Sequence, residues 1–229
     1  MKINKLITRR RGFSLVELLV VIAIIATLAA LSMPAITSAT KRAALTKSVS
    51  NARQMRIALE DFAIDFDGEF VNETNAAQIS DSGNVTFSDA SDAFQTLLDS
   101  GSLGNASEEL FYTKELKNEA SLGHSQGDED GTLTDDECGY SYVTDLSNTS
   151  PGSAPVITTK LKSAAGEFYT SVWGHKAVIA RVDNSAKAER LSGKGGEDAE
   201  DGNVRESIGG TQKNVFDWAT EEASGTVLQ

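Results

Sequence analysis

The chain has one cysteine, two histidines and three prolines in 229 residues. A lone cysteine cannot close a disulfide within the chain, so Cys138 leaves the redox compartment open, and stability has to come from packing or assembly. His124, His175 and Cys138 could in principle supply a Cys–His nucleophile pair, but no catalytic motif surrounds them and no zinc-type cluster is present. The glycines at 193–196 (Gly-Lys-Gly-Gly) lack the strand–loop–helix setting of a phosphate cradle. Trp173, Tyr169, Phe168 and Trp218 read as core residues rather than a ligand platform. These gaps predict a protein that is not an enzyme and has no resident cofactor. Basic residues are also outnumbered: the net charge is -12 and the pI about 4.6. An acidic surface disfavours phosphate backbones, so no nucleic-acid partner is expected. The length and the 40% hydrophobic share fit one globular domain with attachments.

The charge is unevenly placed. Lys2, Lys5, Arg9, Arg10 and Arg11 precede any acid, and the first acid is Glu17. A cut after Gly12 would remove those five positive charges and take the net charge from -12 to -17. Directly after Gly12 comes a long apolar run, Phe13–Leu31 (FSLVELLVVIAIIATLAAL), interrupted by one carboxylate. As a helix it rises roughly 28 Å, close to the ~30 Å of a bilayer's hydrocarbon. An ordinary secretory signal has a shorter apolar region and a small-residue cut site after it. Basic residues also follow the span (Lys41, Arg42, Lys47, Arg53, Arg56), so counting charges alone does not orient it. The arginine run at 9–11 abuts the apolar stretch and favours an internal N-terminus. Glu17 is costly inside a bilayer and needs a proton, an interfacial position or a cationic partner.

Arg11-Gly12-Phe13-Ser14-Leu15-Val16-Glu17-Leu18 resembles the signature of type IV prepilins and type II secretion pseudopilins: a basic leader, Gly, then Phe with Glu four residues later. Pro34 stands 21 residues beyond Phe13, where pilins commonly carry a helix-disturbing proline. The resemblance covers about residues 9–35. It implies that a prepilin peptidase cuts between Gly12 and Phe13 on the cytoplasmic face and methylates the new Phe13 amine. Glycine suits such a cut because it lets the backbone extend into a protease site. The resemblance further implies that Glu17 pairs with the amine of a neighbouring subunit. Two buried opposite charges remove each other's uncompensated cost, and pairing between subunits would set an axial register.

Beyond Pro34 the apolar pattern becomes one-sided. Leu45, Val49, Ala52, Met55, Leu59, Phe62 and Phe66 recur at steps of three and four, predicting an amphipathic continuation that ends near Gly68. At Pro34 a kink or local melting is expected, because proline lacks an N–H and disfavours the helical state at Met33. In the body, Ser91–Leu98 predicts a short capped helix ending near Gly101, Glu108–Leu116 a second, and Asn214–Ala223 a closing one. Strands are expected at 139–146, 156–160, 167–173, 176–183 and 186–191, with turns at 173–176 and at Asp183-Asn184. GHKAVIARVDNSAKAERL resembles a hairpin of pseudopilin-like proteins. Residues 192–210, rich in Gly and acids, predict a flexible loop.

Gln126–Glu137 (QGDEDGTLTDDE) approximates a calcium loop, with Asp128, Asp130 and Glu137 at ligand places and Gly131 at the turn. Gln126 stands where an aspartate is expected, which weakens the site, and a solvated acidic loop is the competing reading. Asp65–Gly68 and Asp198–Asp201 are weaker versions of the same pattern.

The expected fold is α+β and pilin-like: a long N-terminal helix, half transmembrane and half amphipathic, packed on a small antiparallel sheet. The expected organisation is a cytoplasmic leader (1–12), a transmembrane helix (13–36), its amphipathic continuation (37–68) and a periplasmic head (69–229). The expected role is a pseudopilin of a type II secretion-like filament in the bacterial inner membrane. Its partners would be the prepilin peptidase, other pilin-like subunits and an inner-membrane assembly platform. A type IV pilus subunit shares the same signature. An uncleaved, single-pass anchored binding or sensory protein is the alternative of another class.

Overall fold

The computed structural model describes residues 13–80, 83–104, 108–113, 131–163, 167–168, 173, 176–191, 205–208, 211–214 and 227–228. The chain divides into two compact units, the boundary falling after Thr40. Helix α1 (Leu15–Asp65) contributes to both.

In the first unit, residues 13–40 are exposed on every side, and from Phe13 to Ile36 each large apolar side chain is at least 46% exposed. The few polar side chains here are satisfied locally. Thr27 donates to the Ile24 carbonyl, Ser32 to Leu28 and Thr37 to Met33. Hydroxyls that bond back within their own helix add little cost in hydrocarbon. Pro34 sits inside α1, and the helix runs through it without interruption. The melting expected there is absent; the flanking helical bonds outweigh the one donor that proline lacks.

In the second unit α1 buries one stripe. Ala52, Met55, Leu59 and Phe62 are fully buried, while Leu45, Val49 and Phe66 pack at its margins. The same stripe holds polar residues that spacing alone did not reveal: Ser48, Asn51 and Arg56. The helix stops at a left-handed turn. Gly68 (φ +87°) donates its N–H to the Ala63 carbonyl, and a Cβ there would meet Asn148 Oδ1 at 2.7 Å. Helix α2 (Glu73–Ile79) follows, with Asn72 and Asn75 capping each other reciprocally. Helix α3 (Ala90–Asp99) is capped by Asp89 and closed at Gly101 (φ +77°). The helix expected from Glu108 is a single 3₁₀ turn, Glu108–Leu110, and residues 114–116 lie outside the described residues.

The strands are β1 (Tyr140–Val143), β2 (Pro155–Thr159), β3 (Leu161–Ser163), β4 (Glu167–Phe168), β5 (Lys176–Arg181), β6 (Ala186–Arg190), β7 (Arg205–Ile208), β8 (Thr211–Asn214) and β9 (Val227–Leu228). Five form an antiparallel sheet in the order β6-β5-β2-β1-β9; β3-β4 and β7-β8 are separate pairs. The architecture is therefore α+β, with a small antiparallel sheet, as expected. The β5–β6 hairpin turns at Asp183-Asn184, where Asn184 adopts φ +62° and Arg181 N–H bonds the Ser185 carbonyl. Two expectations need correction. Arg205–Ile208 is an arm of the β7–β8 hairpin rather than part of a loop, and Asn214 ends a strand rather than starting a helix. The rest of 192–210, and 215–223, lie outside the described residues. The pairing partner, not composition, decides these positions.

Arg56 fastens α1 to the sheet. Its side chain is 1% exposed; Nε donates to the Arg181 carbonyl (3.1 Å) and Nη2 to the Val182 carbonyl (2.6 Å). Glu60 (2.9 Å) balances the charge, and the guanidinium lies 4.4 Å from the Phe70 ring centroid. Two tyrosines of β1 make further ties: Tyr140 donates to the Ser48 carbonyl (3.2 Å) and Tyr142 to the Val71 carbonyl (2.9 Å). Phe94 packs on both Phe111 and Tyr142.

Replacing Arg56 by Leu would leave the Val182 carbonyl buried without that donor, at a cost of about 2–3 kcal/mol. The expected outcome is a fall in Tm of roughly 5–10 °C in thermal unfolding of the detergent-solubilised chain. Burial also pushes the Cys138 thiol and the Tyr140 hydroxyl up to about 12, and raises Tyr142 as well. Unfolding frees all three to ionise near their ordinary values of 9 and 10. Their contribution is intact below pH 9 and declines as pH rises toward 12, because the unfolded state binds fewer protons there. Denaturant midpoints that stay level between pH 8 and 11 would contradict this.

Candidate functional site

The N-terminus of α1 is built by a reciprocal cap. Ser14 precedes the first helical residue, and its Oγ accepts from the Glu17 N–H at 3.2 Å. Glu17 Oε2 accepts in return from the Ser14 N–H at 2.9 Å. This is the Ser-x-x-Glu capping box, which satisfies two helix-end donors and sets a negative charge where the helix dipole favours it. Glu17 thus belongs to its own helix end as well as to any assembly contact. Ser14-x-x-Glu17 ahead of an apolar run is itself the sequence signal of this cap. The Ser14 N–H remains an amide after a cut at Gly12–Phe13, so the cap is compatible with processing. Oε1 has no partner among the described residues.

Phe13 lies just before the helix and is 76% exposed. Gly12 lies outside the described residues. Residues 7–33 match the family model described as the prokaryotic N-terminal methylation motif.

The chain carries the signal of type IV pilin-like and pseudopilin proteins.

That signal implies processing by a prepilin peptidase and assembly with pilin-like subunits. No curated protein and no solved structure matches the chain. The pilin-like signal is followed by a helix long and apolar enough to cross a membrane, as a single-pass inner-membrane protein requires. Pro34 lies on that helix, well separated from the Ser14–Glu17 cap.

Asp128 and Asp130 lie outside the described residues, as do His124, His175 and residues 198–201. Glu137 is buried, and its Oε2 accepts from both the N–H (3.0 Å) and the hydroxyl (2.7 Å) of Thr134. Among the described residues no three His, Cys, Asp or Glu side chains are placed to hold a metal. Cys138 is buried, and its thiol lies 3.3 Å from the Tyr140 carbonyl, which accepts its hydrogen bond. A thiol with its pKa raised to about 12 is not a nucleophile at neutral pH.

Replacing Ser14 by Ala removes the acceptor for the Glu17 N–H at a cost of about 1 kcal/mol. Amide hydrogen exchange at Glu17, measured by NMR in micelles, is expected to quicken about fivefold, while exchange near Met55 stays unchanged.

Proposed function

We propose that this chain is a pseudopilin: a structural subunit of a type II secretion-like filament, working by polymerisation rather than catalysis. The observation that carries the reading is the Gly12-Phe13…Glu17 signal set directly against a helix that is apolar on all sides. Cleavage would free the Phe13 amine, which the peptidase methylates while it stays cationic. The amine of one subunit then meets the Glu17 carboxylate of the next, and each charge offsets the other's burial. The apolar helix moves from lipid into contact with other such helices, so the filament replaces one apolar surrounding by another. The inner-membrane platform would supply subunits, and the acidic head would stand in the periplasm.

A surface type IV pilus subunit would share all of this. The single buried Cys138 favours the pseudopilin, because long-pilus subunits commonly staple a C-terminal loop with two cysteines.

Mass spectrometry of the mature protein tests the reading. Methylated Phe13 at the N-terminus is expected, and an intact Met1 would instead indicate a plain membrane anchor. Glu17→Ala should remain processed and membrane-held while filament yield collapses; normal assembly by that variant would sink the proposed role of Glu17.

A further inference from the structure

The first charged residues beyond Glu17 are Lys41 and Arg42, both on α1. Counted along a helix, the step from Glu17 to Lys41 rises roughly 36 Å. That exceeds the ~30 Å of hydrocarbon and ends within the headgroup layer of a bilayer ~40–45 Å thick overall. Ile36 is the last exposed large apolar residue before them. Between lie Thr37 and Thr40, whose hydroxyls donate to the Met33 and Ile36 carbonyls and so are spent inside the helix. Lys41 and Arg42 are exposed, and neither side chain has a hydrogen bond or ion pair among the described residues. The next cation, Lys47, is matched by Glu109 at 2.6 Å.

The remainder of the chain has the opposite character. Residues 43–229 hold 14 basic and 32 acidic side chains, a net charge of -18. An anionic bilayer surface repels such a body within a Debye length of about 8–10 Å. Two unmatched cations at the level of the lipid phosphates offset that repulsion where the chain leaves the membrane. We propose that Lys41 and Arg42 bind the phosphate groups of anionic phospholipids and thereby fix the depth of the span. Side chains on a helix lean toward its N-terminal end, which at this place is the bilayer side. The Lys41 stem lies along the helix while its ammonium stays among the phosphates. The Arg42 fork matches two oxygens of one phosphate. The two residues stand about 100° apart around the helix, so each takes its own lipid. The site requires only that α1 spans a membrane, and it holds whether or not the chain polymerises.

Spin-labelled lipids test the site. The full chain is reconstituted in vesicles of phosphatidylcholine and phosphatidylglycerol, and electron paramagnetic resonance reads the fraction of each labelled lipid immobilised at the protein. The native chain should prefer phosphatidylglycerol. Lys41→Gln with Arg42→Gln should lower that preference about two- to fivefold. Lys47→Gln should leave it unchanged, because Glu109 already holds that charge. The leader cations are the same in every variant, so the difference reports residues 41 and 42 alone. Native preference in the double variant would overturn the site, as would an equal loss in Lys47→Gln. Methylated Phe13 together with an unaffected double variant would overturn this site and leave the pseudopilin reading standing. Loss of preference in a chain that keeps Met1 would do the reverse.

Discussion

One unbroken helix has to satisfy two environments, and the rest of the molecule follows from that. Its first half offers apolar side chains on all sides, each of which gains about 1.5–3 kcal/mol on leaving water. Nothing in the first unit covers them. The segment therefore requires lipid or other helices as its surroundings. Its polar atoms are prepared for this: threonine and serine hydroxyls bond back to the helix, and Glu17 closes a capping box at the very end.

The second half of α1 has the opposite task, to present one stripe to a sheet and keep the other in water. Apolar packing supplies most of the attraction, but polar ties decide where the helix sits. Arg56 binds two carbonyls at the end of β5, and the hydroxyl of Tyr140 returns to the Ser48 carbonyl. A guanidinium suits this place because its planar fork reaches several acceptors at once while its flat face lies on Phe70. Such groups are costly if misplaced, so they favour one packing over its near neighbours.

Much of the candidate site was legible because it is local. The Gly12-Phe13 junction, the four-residue step to Glu17 and the length of the apolar run are all short-range properties. So are the three-and-four spacing of the buried stripe, the Asp183-Asn184 turn and the short helix at Ser91–Leu98 that ends near Gly101. Short elements were less legible. Helix α2 has seven residues, too few for periodicity, and β9 has two. Arg205–Ile208 read as loop because strand identity there depends on its partner, Thr211–Asn214. Pro34 was expected to kink or melt the helix, and melting does not occur, because one missing donor does not break a segment bonded on both sides.

The sequence by itself determined the processing signal, the acidic head and the existence of a helix that is apolar first and one-sided later. Those features depend on residue identity over a turn or two of chain. Only the tertiary structure decided that Arg56 is buried and fastens the helix to a β-turn 125 residues away in the chain. It also decided that Glu17 already holds a partner in its own helix, and that Ile57 and Ile64 remain outside the core. Burial is a property of what lies opposite a residue, and that is settled only when distant segments meet.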